Sequence, residues 1–406
     1  MSRALVAGAI LGAALIFGGL FIQGSGRRNA QAATASLRLL DEVMARLRED
    51  YVDTMSIEEM YRRTASGFVK EVDDSHGELL TPQRYRQALA LTRSRTAGVG
   101  IDVDIRDGVV TVIAAAAGSP ADSAGIRSGD LIMAIDGKST LGLGIEEVET
   151  ALRGQPGSTV KLTLDRPGIG LTSEHPVIPL TRRAIETRPV RRIGLANGVG
   201  YVELAAFDAN AAADLRRVVD SLRARGARSL ILDLRRNAGG PLDQGVAVAE
   251  LFLDPGAVVA STRGRSAALN QTFRDRAPQP WSGMPVVALT DSGSASAAEI
   301  VAGALKDNRR AVLVGAPTFG KGSTQTIFPM QGGYAVRLTT ARWFTPGGHR
   351  VEGDTANVGI APDVGVSAAA IVSGGAQPPD ATLLRAMELL AGVTTTQQLI
   401  ERARRK

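Results

Sequence analysis

Apolar positions along this chain change their period twice, and each change marks a change of architecture. Between residues 36 and about 95 they recur at helical spacing. In "SLRLLDEVMARLREDYV" Leu37, Leu40, Val43, Met44 and Leu47 share one face, and "SIEEMYRRTASGFVKEV" continues the rhythm. Ser56 with Glu59 is a capping-box signature that predicts where the second helix begins. "DDSHGELLTPQRYRQALALTRS" reads as a turn and another helix. From Ala97 to about Arg166 the period shortens to that of strands: "GVGIDVDI" alternates, "GVVTVIAAAA", "LIMAIDGKS" and "TVKLTLDR" follow, and a helix over Ile145 to Leu152 interrupts them.

A long β-rich run, "HPVIPLTRRAIETRPV", leads into a third texture. Here strand and helix alternate: "GVGYVELAAF", a helix over Ala211 to Arg225, "SLILDLR", a helix near Gly245 to Leu253, "PVVALTD", a helix from about Ser296, "AVLVG" and "YAVRLTTARWFT". Such alternation predicts an α/β core with parallel pairings. The tail, "DATLLRAMELLAG" and "TTQQLIERARRK", is helical and amphipathic, and no repeat of solenoid period occurs. The expected class is multidomain α/β, divided as 1–34 (signal or anchor and linker), 35–95 (helical), 96–168 (β-rich), 169–370 (α/β core) and 371–406 (helical).

The first residues change the picture of where the chain works. Ala4 to Ile22 is an uncharged apolar run of 19 residues behind Arg3, close to a bilayer-spanning length and longer than the usual core of a signal peptide. Ala30-Gln31-Ala32 offers a cleavage site, but it lies far from the run, beyond Arg27-Arg28. The expectation is an exported protein, periplasmic or otherwise extracytoplasmic, held at the inner membrane by an uncleaved anchor over residues 4–22. Net charge is +6, but Lys and Arg are scattered among Asp and Glu, which describes a solvated basic surface and no nucleic-acid footprint. The absence of cysteine excludes disulfides, thiolate zinc sites and a cysteine nucleophile.

Two stretches carry candidate chemistry. "VLVGAPTFGKGSTQ" places Gly315 and Gly320-Lys321 where a phosphate-binding loop would have them. That loop needs Ser or Thr directly after its lysine to bind magnesium, and Gly322 stands there. Upstream, "VVALTDSGSASAAEIVAGALKD" runs from a buried-looking strand, Val286 to Leu289, through a small-residue turn into a helix near Ser296. Strand-turn-helix geometry exposes a side chain at the turn and aims free N–H groups outward, a preorganised oxyanion site. Ser296 and Glu299 also form a capping box, so Ser296 could be only a helix cap. None of the three histidines, His76, His175 and His349, sits in a motif suggesting a serine–histidine relay. A lysine held neutral in an apolar pocket can activate a serine instead, and Thr318, Phe319 and Gly320 give Lys321 compact neighbours. Gln325, four residues on, could hold its nitrogen.

Taken together, "GSASAAEIVAGALKD" and "GAPTFGKGSTQ", with "LILDLRRNAGG" before them and "WFTPGGHRVEGD…VGIAPDV" after, resemble the ordered motifs of the carboxyl-terminal processing peptidases, the serine–lysine tail-specific proteases. The resemblance covers roughly residues 36 to 400. It implies a crotonase-like protease core, Ser296 as nucleophile, Lys321 as general base, Gln325 as the residue orienting that lysine, and the N–H groups of Ala297 and Gly240 as the oxyanion hole. Ser294 is the rival nucleophile. Asp291, Ala298 and Ala238 stand where the family usually has Asn, Ser and Pro, and none of these removes a catalytic group. "AGVGIDVDI" with "AAAAGSPADSAGIRSGDLIMAIDGKS" is similar to a PDZ domain, and Gly98, Val99, Gly100 and Ile101 match its carboxylate-binding loop. Successive N–H groups there make a nest for a C-terminal carboxylate, and the next strand edge adds the peptide by β-augmentation. The resemblance implies peptide or protein substrates with free C-termini, neither metal nor cofactor, self-association as a dimer through the helical flanks, and room for an adaptor protein. A proteolytically dead PDZ adaptor and an acyl-thioester enzyme on the same core are the competing readings.

Overall fold

A computed structural model describes residues 26–72, 74, 76–91, 97–167, 175–185, 188–352, 359–366 and 380–405. It contains two compact units, one ending at Glu71 and one beginning at Val72. In the first, helices Gly26–Glu49 and Ile57–Lys70 form. Ser56 caps the second, accepting from the Glu59 N–H at 3.2 Å, where the capping signature predicts its start. The first helix begins ten residues before the expected 36, within a stretch expected to be linker. Ala30, Ala32 and Ala33 are strong helix formers, and propensity carries the segment where apolar periodicity gave no signal. The expected anchor, residues 4–22, lies outside the described residues. Among the described residues no helix is long and apolar enough to cross a membrane.

Among the described residues the second unit holds three sheets of five or six strands and a two-stranded one, Ala97–Gly98 with Arg183–Ala184. The β-rich domain is a six-stranded antiparallel sheet built from Ile101–Arg106, Val109–Ala115, Leu131–Ile135, Lys138–Ser139, Thr159–Asp165 and Val177–Thr181. Alternate residues Val103, Ile105, Val110, Val112, Val160, Leu162 and Leu164 turn inward and pack with Val148 and Leu152 of helix Ile145–Leu152. Strand Val177–Thr181 lies past the expected boundary at 168. It completes this sheet by pairing with Thr159–Thr163.

The α/β core orders its strands Val190–Ala196, Val199–Leu204, Ser229–Asp233, Val286–Thr290, Val312–Gly315 and Val364–Gly365 across one sheet. The first pair is antiparallel and every later pair is parallel. Ser229–Asp233, Val286–Thr290 and Val312–Gly315 are buried along their whole length because helices cover both faces, which is why they read as unbroken apolar runs. Helices Ala211–Ala224, Leu242–Glu250 and Ala297–Asp307 pack on one face, and the C-terminal helices Ala381–Leu390 and Thr396–Arg404 on the other. Arg235 ties that C-terminal pair to the sheet, bonding both Asp233 and Asp380.

Alternation gave no warning of the third sheet. Ala335–Phe344 does not join the parallel sheet; it pairs antiparallel with Glu78–Leu80, Val258–Gly264 and Ser323–Pro329. This second layer carries the segment after Lys321.

Candidate active site

The elbow forms at the carboxyl edge of the parallel sheet, where strand Val286–Thr290 gives way to "DSGSA" and then to helix Ala297–Asp307. Ser296 has φ +54° and ψ −115°, a conformation that costs a non-glycine residue energy. Its neighbours hold it there. Ala295 N–H donates to Asn237 O at 2.9 Å, and Ser296 N–H donates to the Glu299 carboxylate at 2.8 Å. Ser296 is half-buried, whereas Ser294 is fully enclosed. Ser294 Oγ donates to Leu234 O at 2.8 Å and accepts from the Asp291 N–H at 3.1 Å, so its hydroxyl is occupied in pinning the turn.

Beside the elbow runs the loop of "LRRNAGG". Asn237 is completely buried; its amide donates to Leu204 O at 2.7 Å and its oxygen accepts from Gly239 N–H at 2.8 Å. Gly240 has φ +151°, and a Cβ there would lie 2.1 Å from Phe207 O, so no other residue fits. A Cβ on Gly239 would lie 2.7 Å from the Ser296 Cβ and 2.9 Å from the Ala297 nitrogen. The loop is thus laid directly against the helix start. Among the described residues neither Gly240 N–H nor Ala297 N–H has an acceptor.

Glu299 joins the serine to the lysine. It is fully buried on the first turn of the helix, and one carboxylate accepts four hydrogen bonds: Ser296 N–H (2.8 Å), Thr318 Oγ1–H (2.5 Å), Gly320 N–H (2.7 Å) and Lys321 N–H (2.8 Å). Burial pushes this carboxyl up, and those four donors oppose the push. Phe319 N–H donates to Ser294 O at 2.9 Å, and Trp343 Nε1 donates to Lys321 O at 2.9 Å, fixing the loop on both sides. Gly322 has its own reason to be glycine, since a Cβ would meet the Glu352 nitrogen at 2.6 Å.

The lysine side chain points somewhere the sequence did not suggest. Lys321 Nζ lies 3.5 Å from Asp104 Oδ1, on strand Ile101–Arg106 of the β-rich domain. Asp104 is buried and also bonds His76 Nε2 at 2.7 Å. Burial would raise its carboxyl, but the His76 bond and the Lys321 charge outweigh burial and hold it low. Gln325 does not reach the lysine nitrogen here: its amide donates to Ser323 Oγ at 3.0 Å and Thr339 Oγ1 at 3.4 Å.

The loop Gly98 to Ile101 borders a cleft of about 170 Å³, closed by Leu152, Ile185, Glu149 and Arg153. Gly100 has φ +75°, and a Cβ on it would collide with the Ser119 Cβ at 2.3 Å. Arg153, just past the end of helix Ile145–Leu152, gives one guanidinium nitrogen to Glu149 at 3.1 Å, while its Nη1 is buried without a partner.

Of the residues singled out from sequence, Ser296, Ala297, Gly240 and Lys321 gather at one edge of the sheet. Gln325 stands on the neighbouring strand, and Gly98 to Ile101 border a separate cleft. Glu299, Asp104, His76 and Arg153 were missed. Glu299 was visible only as a helix cap, and the others are assembled by contacts across long sequence separations that no local pattern encodes.

A PDZ-like sheet docked on an α/β core with a serine at a strand-turn-helix elbow defines the class as a PDZ-bearing peptidase, and the comparisons agree. The family model described as "Peptidase family S41" matches residues 198–366, and one for the PDZ domain matches 111–166. The chain is 32% identical over 363 residues to the carboxy-terminal-processing protease of Bartonella bacilliformis, covering 88% of this chain and 81% of that one. It is 38% identical over 297 residues to the carboxyl-terminal-processing protease of a Picosynechococcus species, covering 72% and 69%. Among solved structures, the photosystem II D1 C-terminal processing protease superposes with a TM-score of 0.69 at 29% identity, covering 79% of this chain and 84% of that one. The chain belongs to the carboxyl-terminal processing proteases of peptidase family S41.

Proposed function

We propose that the protein is a serine endopeptidase that takes substrates by their C-termini and cleaves them with the pair Ser296 and Lys321. Lys321, as the free amine, removes the Ser296 hydroxyl proton while the oxygen attacks a peptide carbonyl. The N–H groups of Ala297 and Gly240 receive the oxyanion. The lysine returns the proton to the leaving amine, and water then resolves the acyl-enzyme by the same route in reverse. Gln325 orients the lysine once its side chain turns toward Ser296. The observation that carries this reading is Glu299, whose one carboxylate binds the backbone of both the serine and the lysine. In the β-rich domain the substrate tail extends strand Ile101–Arg106, its carboxylate meets the N–H groups of Gly98 to Ile101, and the unpartnered Nη1 of Arg153 supplies countercharge.

On this reading the chain is exported and anchored by residues 4–22, works as a dimer, and accepts an adaptor protein. The test is cleavage of an unfolded protein by the full-length chain. Ser296→Ala, Lys321→Ala and Lys321→Arg each abolish turnover while leaving the melting temperature in place, arginine failing because it does not deprotonate. Turnover at the parent rate in Ser296→Ala refutes the assignment. Binding of tailed peptides with no cleavage by the parent chain would make it an adaptor.

A further inference from the structure

The parallel sheet has an opening at its amino edge, the end opposite Ser296. Strand Val364–Gly365 is only two residues long and pairs with Val314 and Gly315. Among the described residues, Ala311 and Val312 therefore have no strand beside them on that side. A cavity of about 330 Å³ lies there, between the end of helix Ala297–Asp307 and the last turns of helix Thr396–Arg404. Ala311, Val312, Ile400 and Ala403 give it an apolar lining. Its carboxylates are already engaged. Asp307 Oδ2 accepts from Gly347 N–H at 2.8 Å; Asp363 accepts from Leu313 N–H at 2.8 Å and lies 3.8 Å from Lys306 Nζ. Its arginines are not. Arg309 and Arg404 are exposed, and neither guanidinium has a hydrogen-bond or ion-pair partner among the described residues. Arg309 also holds φ +54° just after its helix, at a place where glycine would sit without strain.

We infer that this cavity binds a small aliphatic carboxylate, its chain against the apolar lining and its charge met by Arg309 and Arg404. A guanidinium offers a carboxylate two parallel N–H donors, and an apolar lining rewards each methylene withdrawn from water. At about 30 Å³ for each water-sized group, the cavity has room for roughly ten non-hydrogen atoms, the size of an eight-carbon fatty acid anion. A peptide segment bearing the same groups fits less well, because its N–H groups need acceptors and both carboxylates of the lining are engaged. The cavity shares no residue with the serine–lysine site or with the cleft bordered by Gly98 to Ile101. A ligand bound there joins the last helix of the chain to the helix that starts beside Ser296, so it stabilises the folded core.

The experiment titrates the purified full-length chain with sodium octanoate by calorimetry. Binding is saturable, takes one octanoate per chain and raises the melting temperature. Octanol, of the same length but uncharged, binds about tenfold or more weakly, and so does butanoate, which has lost four methylenes. The double variant Arg309→Asn, Arg404→Gln keeps the parent's circular dichroism and loses about tenfold or more in octanoate affinity; asparagine is chosen because it tolerates positive φ. An excess of free-tailed peptide, which fills the cleft at Gly98 to Ile101, leaves octanoate binding unchanged. Absence of saturable binding, or undiminished affinity in the folded double variant, overturns the assignment. Displacement of octanoate by the tailed peptide would place it in the other cleft and overturn the assignment too. A pentapeptide with leucine beside aspartate and both ends blocked is the last arm: if it binds more tightly than octanoate and needs the same two arginines, the occupant is a protein segment and the small-carboxylate assignment falls.

Discussion

Replacing Glu299 by glutamine tests the linkage on which the site depends. The side chain keeps its length but exchanges one carboxylate oxygen for an NH₂ group. One oxygen now accepts from Thr318 Oγ1 and Gly320 N–H, the other from Ser296 N–H and Lys321 N–H. In either rotamer the new NH₂ faces two donors. The less costly choice turns it toward Thr318, whose hydroxyl also accepts from Ile360 N–H at 2.6 Å, and leaves Gly320 N–H unsatisfied. A bond to a charged acceptor is worth roughly 1.5–3 kcal/mol, against about 1 for a neutral one, and a buried unpaired donor costs about 1–3. Two bonds weakened by about 0.5–2 kcal/mol each and one orphaned donor at about 1–3, which already includes its lost bond, together give about 2–7 kcal/mol. That is within the roughly 5–15 kcal/mol stability of a domain, so the core stays folded but melts roughly 10 °C lower. Activity falls by about a hundredfold or more, because a displacement near 1 Å between serine and lysine is enough for that. Calorimetry and cleavage of an unfolded protein read the two effects. A melting temperature within about 2 °C of the parent, with activity retained, would refute the reasoning.

Two further outcomes follow from the same geometry. Ser294→Ala removes the bonds to Leu234 O and from Asp291 N–H, so it lowers stability by about 1–3 kcal/mol while leaving most of the activity, seen by urea titration beside a rate assay; loss of activity with unchanged stability would make Ser294 the nucleophile. Amidating a peptide's C-terminus weakens its binding by about 1–3 kcal/mol, and Arg153→Ala, which withdraws the countercharge, weakens binding of the free-tailed peptide but not of the amidated one; equal affinities of the two peptides for the parent chain, by calorimetry, would remove tail recognition.

Much of this site could be read in sequence because it is built from local geometry. A strand ending in small residues before a helix dictates an elbow. Glycine recurs where the backbone must take positive φ or a close approach, as Gly240 does against Phe207 and Gly100 against Ser119. The α/β core was legible because a strand buried on both faces is an apolar run of fixed length. The helix starting at Gly26 was not, since its first residues show no apolar period. The second-layer sheet was missed because alternation does not say which sheet a strand joins, and Ala335–Phe344 finds two of its partners about 80 and about 257 residues upstream.

By itself the sequence determined most of the elements, the family motifs and the candidate groups for chemistry, all of which depend on neighbours a few residues apart. Tertiary structure alone decided what those groups do to one another. It made Glu299 the bridge between serine and lysine, closed Ser294 into the interior, turned Gln325 toward Ser323 and Thr339, and set Asp104 against the lysine nitrogen. The physical reason is that charge and desolvation act through space over a few ångströms. Asp104 and Lys321 meet across 217 positions of chain because their two segments pack together in the folded unit, and no periodicity along the sequence carries that information.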